Sequence, residues 1–102
     1  MKFDKAVFKK GMQQTIRLGK KETPDHIFSI ENVNGKKIGE GILFKKEYWL
    51  FKDLPDRIIR MSHDPNCRTR EGLYTTLKQY YPGFTVDSVV TVVWFEVHWV
   101  DV

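Results

Sequence analysis

The sequence predicts an α+β fold in which two or three short helices flank one strongly curved β-sheet. Alternating polar and apolar residues mark strands early in the chain and again near its end. Between these strands, two segments have apolar residues at the spacing of short helices. Gly39 and Gly41 lie within one predicted strand, and paired glycines in a strand indicate a bulge or a tight bend. A sheet bent at that point would be strongly curved.

The first clear strand covers residues 14–18. Thr15 and Arg17 alternate there with Ile16 and Leu18, which is the period-2 pattern of a half-buried strand. Because successive side chains of a strand point to opposite faces, Thr15 and Arg17 must point the same way.

Three further strands are predicted downstream. One covers residues 26–30 and is followed by a turn at residues 32–35. The strand that contains the glycines covers residues 38–44, and residues 48–51 extend it. The segment 86–102 is the richest in β-branched and aromatic residues, which favours a strand that crosses the centre of the sheet.

Two helices are predicted between the third and fourth strands. Pro55 would lie in the first turn of a helix that runs to about Met61, with Asp53 as its candidate N-cap. A second helix follows Thr69 and stops before the Pro82-Gly83 pair. One side of this helix carries its large side chains, which are Leu73, Leu77 and Tyr80 or Tyr81. Residues 4–10 fit either one helical turn or a short strand.

The composition fits one folded domain over residues 1–102. A chain of this length closes one hydrophobic core rather than two, and 41% hydrophobic residues are enough to form it. Seventeen Lys and Arg against thirteen Asp and Glu give a formal net charge of +4. This excess suits polyanionic partners such as nucleic acids without selecting one of them.

Cys67 is the only cysteine, which excludes an intrachain disulfide and favours a reducing compartment. We find no signal peptide, and the longest apolar run, around residues 89–95, is too short to span a bilayer. We therefore expect a soluble, cytoplasmic protein. His63 and Cys67 share a predicted loop, but His26 and His98 lie in separate strands, so we expect neither a metal site nor a cofactor. A Cys67 nucleophile paired with His63 lacks a recognisable orienting group.

Lysines occur as four adjacent pairs, at positions 9–10, 20–21, 36–37 and 45–46. Nucleic-acid binding uses cations for phosphates and flat rings for stacked bases, and Tyr48 follows the last pair closely. The pairs could line one rim of such a site. Alternatively, lysines on loops and strand edges keep the surface soluble, and the aromatic residues pack in the core. Both interpretations stay open.

Four motifs, in this order along the chain, resemble the ASCH-domain family. They are Gly11 followed by Thr15-Ile16-Arg17-Leu18, then Phe51-Lys52-Asp53-Leu54, Tyr81-Pro82-Gly83 and Val90-Thr91-Val92-Val93-Trp94-Phe95. The order and spacing cover most of the chain. This resemblance implies a PUA-like curved β-barrel with flanking helices and an association with RNA.

One branch of that family, of similar length, is an amidohydrolase that acts on acetylcytidine. The resemblance to its Gly-Arg-Lys-Thr-x-Thr-x-Arg segment places Thr15 and Arg17 at two of its functional positions, and Met12 at the position of its catalytic lysine. A thioether can neither donate a proton nor carry a positive charge. A hydrolase would therefore need Lys10 as a substitute, and Glu71 lies one position before the matching glutamate.

The leading hypothesis is a module that binds RNA or a modified nucleoside in a cleft near Thr15 and Arg17. Its candidate ligand-binding residues are Arg17, Lys9, Gln13, Lys20, Lys21 and Tyr48. The first alternative is an amidohydrolase of acetylated cytidine with Thr15, Glu71 and Lys10 as catalytic residues. A ribonuclease, with His63 as the one suggested base, and an interaction domain built on the aromatic last strand are further alternatives. Enzymatic activity and the choice between monomer and oligomer stay open.

Overall fold

The computed structural model describes residues 1–3, 8, 11–19 and 26–101. These residues contain four strands, two α-helices and two short 3-10 turns. The strands are β1 (Met12–Leu18), β2 (Ile27–Glu31), β3 (Lys37–Leu50) and β4 (Val89–Val100), and the helices are α1 (Asp56–Ile59) and α2 (Arg70–Tyr80). The 3-10 turns are Phe51–Asp53 and Pro65–Cys67. The short element predicted at residues 4–10 lies outside the described residues, apart from Phe8.

The four strands form one antiparallel sheet in the order β1-β4-β3-β2. β4 lies inside this sheet and pairs with β1 on one side and with β3 on the other. Its β-branched and aromatic side chains suit such a position, because neighbours on both sides pack against them. The prediction that the last strand crosses the centre of the sheet is confirmed.

The sheet of the described residues is not closed into a barrel, so that part of the predicted fold is wrong. β1 and β2 are its two edges. Lys2 makes a parallel bridge with Glu31 of β2, and Arg17 reaches across from β1 through a 2.7 Å hydrogen bond from Nη2 to the Lys2 carbonyl oxygen. At the β1 edge, the His63 N–H donates to the Gln14 carbonyl oxygen at 2.9 Å. A side chain and a loop therefore take the place where a closing strand would pair.

β3 bends at its glycines, as the sequence predicts. Its register against β4 shifts between Glu40 and Gly41, which is the bulge. A Cβ atom on Gly41 would lie 2.5 Å from Cζ of Phe28, and one on Gly39 would lie 2.3 Å from the carbonyl oxygen of Trp99. Both distances are far inside van der Waals contact, so neither position has room for a side chain.

Two hydrophobic cores lie on opposite faces of β4, so the prediction of a single core is wrong: a central strand that is buried on both faces supports one cluster on each side. Val90 and Val92 belong to the helix-side core, and Val93 and Phe95 belong to the strand-side core. The other buried members of the helix-side core are Ile16, Phe51, Leu54, Ile58, Ile59, Cys67, Leu73, Leu77 and Phe84. The strand-side core also contains Phe3, Phe28 and Ile30. Because β4 contributes to both cores, burial of its alternate residues holds the helices and the outer strands to the same sheet.

α2 follows the predicted pattern. Thr69 is its N-cap, and the Thr69 Oγ1 accepts the N–H of Gly72 at 3.0 Å. Leu73 and Leu77, four residues apart, are both buried. α2 has 11 residues, and none of the helices in the described ranges is long and apolar enough to cross a membrane.

α1 is shorter than predicted and begins differently. Pro55 occupies its N-cap position in an extended conformation, without a side-chain cap. Asp53 belongs to the preceding 3-10 turn, so the prediction that Asp53 caps the helix is wrong. The extended residues Leu54 and Pro55 separate the Asp53 carboxylate from the first N–H groups of α1.

Replacement of Gly39 by Ala should lower the free energy of unfolding by about 1–3 kcal/mol. The new Cβ would meet the backbone oxygen of Trp99, which cannot move without disturbing the pairing of β3 with β4. Urea unfolding measures this loss. Gly83→Ala is the matched control, since a Cβ there meets no atom within 4 Å, and its free energy of unfolding should stay within about 0.5 kcal/mol of the parent. Equal stability of the two variants would contradict the close approach at Gly39.

Candidate nucleic-acid site

A cavity of about 370 Å³ lies at the open edge of β1. Its wall combines segments that are distant in sequence, namely the N-terminal residues, β1, the loop at residues 62–64 and α2. The lining residues are Lys2, Phe3, Thr15, Ile16, Arg17, Val33, Ser62, His63, Asp64, Cys67, Leu73, Thr76, Leu77, Tyr80 and Tyr81. Small-ligand sites commonly have volumes of about 300–1,000 Å³, so the cavity has the size of a site for a small ligand or one unit of a polymer.

Strand alternation brings Thr15 and Arg17 to the cavity together. Thr15 lies opposite Val93 of β4 and Arg17 lies opposite Thr91, so both side chains point to the strand-side face. Ile16 points the other way and is buried in the helix-side core. The common direction predicted for Thr15 and Arg17 is therefore confirmed.

The Arg17 guanidinium is held by neutral groups. Its Nη2 donates to the Lys2 carbonyl oxygen at 2.7 Å, and its Nε donates to the Thr15 Oγ1 at 3.3 Å. The guanidinium carbon lies 4.8 Å from the centre of the Phe3 ring, within the range of a cation–π interaction. No carboxylate among the described residues lies within 4.0 Å of Arg17.

The charge of Arg17 persists in this half-buried position. Burial lowers the pKa of Arg17 from its usual value, while Tyr81 and Tyr80 act in the opposite direction. An arginine side chain nevertheless stays protonated in proteins. Burial of a charge without an ionic partner is unfavourable, so a ligand that brings an anion or several acceptor atoms would interact well with Arg17.

The loop that carries His63 pairs with the edge of β1, and the His63 imidazole lines the cavity. Its backbone N–H donates to the Gln14 carbonyl oxygen, and its Nδ1 lies 3.1 Å from the same oxygen. Because a carbonyl oxygen can only accept, Nδ1 carries the proton in the neutral ring and Nε2 is left as an acceptor. Burial lowers the pKa of His63, against the opposing effects of this hydrogen bond and of Asp64. At neutral pH the cavity therefore contains a cation, Arg17, next to an uncharged imidazole.

Arg68 and Asp64 fix the loop that carries His63. The Arg68 Nε donates to the Ser62 carbonyl oxygen at 2.9 Å, and its Nη2 donates to the His63 carbonyl oxygen at 3.4 Å. The Asp64 Oδ1 accepts the N–H of Asn66 at 2.9 Å and caps the 3-10 turn that follows. Hydrogen bonds between these side chains and the backbone on both sides of His63 thus position its imidazole.

One side of α2 forms the wall opposite β1. Leu73, Leu77 and Tyr80 line the cavity with Thr76 beside them, and Tyr81 lines it directly after the helix. These positions recur every three or four residues, which places them on one side of a helix. The leucines are buried beneath the cavity and Tyr80 is 53% exposed at its rim.

The predicted site residues divide into three groups. Thr15, 4% exposed, and Arg17 line the cavity. Gln13 is fully buried, donates from Nε2 to the Gly11 carbonyl oxygen at 3.0 Å and is not among the lining residues. Glu71 and Tyr48 are exposed and are not among the lining residues either, although Tyr48 pairs with Thr91 and therefore lies on the same face of the sheet as Arg17. The candidate lysines Lys9, Lys10, Lys20 and Lys21 lie outside the described residues.

Sequence reasoning did not place Thr76, the two tyrosines or His63 beside Thr15 and Arg17. It predicted Tyr80 or Tyr81 on the apolar side of α2 with the two leucines, and that spacing was the available signal. It named His63 only as the suggested base of a ribonuclease, because the loop reaches the cavity through its pairing with β1, which has no local signal in the sequence. Among the described residues, no group of three or more His, Cys, Asp or Glu side chains is placed to bind a metal ion.

These elements define an α+β protein with a cavity at an open strand edge. Its fold is similar to that of the ASCH domain from Lactobacillus crispatus JV V101, with a TM-score of 0.61 and 12% sequence identity. The match covers 83% of this chain and 63% of that chain, so this chain spans less than two thirds of the length of the solved chain. The protein thus has the fold of an ASCH domain, which confirms the predicted resemblance at the level of the fold. The sequence itself matches no protein-family model and no curated protein.

Replacement of His63 by Gln should flatten the dependence of stability on pH. The pKa of His63 is lowered in the folded protein. As the pH falls below about 6.5, the usual pKa of histidine, the unfolded chain therefore binds a proton before the folded protein does. The folded state then loses stability as the pH falls further. The drop in melting temperature between about pH 7.5 and pH 5.5 should shrink by a few degrees in His63→Gln. His26→Gln, at an exposed histidine, should keep the drop of the parent protein. An equal drop in melting temperature in the two variants would contradict the lowered pKa of His63 as its cause.

Proposed function

We propose that the cavity binds RNA or a modified nucleoside, with Arg17 contacting a phosphate or the edge of a base. The observation that carries the proposal is the half-buried guanidinium of Arg17 in the cavity wall, with only neutral partners among the described residues. The planar fork of arginine suits both phosphate oxygens and base acceptors.

Aromatic rings around the cavity support a ligand with a flat base. Tyr80 and Tyr81 line it together with the imidazole of His63. Bases stack on such rings in single-stranded RNA complexes, and the stacking tolerates different sequences. The net charge of +4 adds a general attraction for a polyanion. An association with RNA is also what the resemblance to ASCH domains implies.

The position of Glu71 favours binding over amide hydrolysis. Glu71 is two residues before Leu73 and nine before Tyr80 on α2, which corresponds to about 200° and 180° around a helix with 3.6 residues per turn. Both of those residues line the cavity, so Glu71 points away from Thr15. A carboxylate acting as general base must come within hydrogen-bond reach of the proton that it abstracts.

Arg17→Ala should weaken the binding of short single-stranded RNAs by about tenfold or more. The slope of log affinity against log salt concentration should also fall by about the amount that one phosphate contact contributes. Fluorescence-anisotropy titrations of labelled hexanucleotides at two salt concentrations measure both effects. Arg57→Ala is the matched control, because it removes the same charge at an exposed position of α1 that does not line the cavity. Its affinity should stay within about twofold of the parent.

Arg17→Lys separates the effect of the planar guanidinium from the effect of the positive charge. It is also the variant to use if Arg17→Ala is unstable. A lysine keeps the positive charge but loses the planar donors, so it should retain the salt dependence while the affinity falls. Melting temperatures of the variants show whether they are folded. RNA affinity that is undetectable in the parent, or that is equal in Arg17→Ala and Arg57→Ala, would overturn the proposal.

A further inference from the structure

The backbone of β1 presents hydrogen-bonding groups to its two sides in alternation. The Gly19 N–H, one residue beyond β1, donates to the Val89 carbonyl oxygen at 2.7 Å, so the odd-numbered residues of β1 direct their N–H and C=O groups toward β4. The carbonyl of Gln14 points the opposite way, since it accepts the N–H of His63. By the same alternation, the N–H and C=O of Ile16 both point to the open edge.

Ile16 lies at the cavity, and its backbone is the part available to a ligand. Its side chain is buried in the helix-side core and only 8% exposed. Within the described residues, no loop or turn backbone group bonds to the N–H or the C=O of Ile16. The cavity includes residues from both faces of the sheet, such as Phe3 on one side and Leu73 on the other. It therefore wraps around the edge of β1 at Ile16.

We infer that the N–H and C=O of Ile16 bind the Watson–Crick edge of a nucleobase that enters this cavity. The inference rests on the proposed function and specifies which part of the ligand is read. One strand residue offers a donor and an acceptor side by side, nearly in one plane. A base edge offers the complementary pair in the same arrangement, and proteins recognise unpaired RNA bases through that edge.

The free length of the β1 edge favours a base over a peptide strand. A peptide that adds to a sheet pairs with alternate residues over several steps. Here the step before Ile16 is already taken, because the carbonyl of Gln14 is bonded to His63. Leu18, the next residue of β1 that faces this edge, does not line the cavity. A planar group that needs a single donor and acceptor fits the remaining gap, and Tyr80 and Tyr81 provide rings near it.

Amide hydrogen exchange followed by NMR on the ¹⁵N-labelled protein tests the inference. In the free protein, the Ile16 amide should exchange faster than the Arg17 amide, which faces β4. A saturating amount of the tightest of four homopolymeric RNA hexanucleotides should slow the exchange of the Ile16 amide by about tenfold or more relative to that of Arg17. An abasic hexamer of ribose phosphates supplies the same charges without bases, and at saturation it should leave the ratio of the two exchange rates unchanged.

The outcomes separate this inference from the proposed function. If no hexanucleotide binds, the proposed function fails, and this inference with it. If RNA binds in an Arg17-dependent manner but the Ile16 amide is not selectively protected, the proposed function stands and the inference is overturned. Equal protection by the abasic hexamer also overturns it, because the edge then contacts sugar or phosphate. If the Ile16 amide of the free protein becomes more protected as the protein concentration rises, the edge pairs with a second copy of the chain. That result would likewise overturn the inference.

Discussion

Arg17 holds together two parts of the structure that the sheet itself does not join. β1 and β2 lie at opposite edges of the sheet, and residues 1–3 run along β2 through the bridge from Lys2 to Glu31. The guanidinium of Arg17 crosses from β1 to the Lys2 carbonyl and covers the ring of Phe3. Within the described residues, a charged side chain rather than a row of backbone bonds thus connects the two edges, and the cavity lies beside this connection.

This substitution of a side chain for a strand has an energetic consequence. A ladder of backbone bonds satisfies its own donors and acceptors, whereas a half-buried guanidinium with five N–H groups needs partners from elsewhere. Among the described residues Arg17 has a carbonyl and a hydroxyl. The other N–H groups of Arg17 and the backbone of Ile16, which bonds to no loop or turn backbone group within the described residues, lie at the same cavity, so one ligand could satisfy both.

The sequence was informative wherever a short-range rule determines the structure. The glycines of β3, the burial of β4, the shared side of Leu73 and Leu77 on α2 and the common direction of Thr15 and Arg17 all follow from spacing within a few residues. The cavity does not follow from such rules, because His63 reaches β1 from 49 positions along the chain and Tyr80 is still further away. The open sheet was missed for a similar reason: closure depends on whether distant edges pair, and alternation within a strand contains no information on that.

Arg17 and His63 together place a fixed cation beside a neutral imidazole in the wall of the cavity. Arg17 alone would attract any phosphate, as a mobile lysine would. His63 limits this attraction, since burial keeps its ring neutral at ordinary pH and its Nε2 accepts rather than donates. A bare phosphate would find the cations of Arg17 and Lys2 in the wall, but it would also meet the Asp64 carboxylate and an imidazole nitrogen that can only accept. Under the proposed function, a base with both donors and acceptors along its edge would have partners on each side.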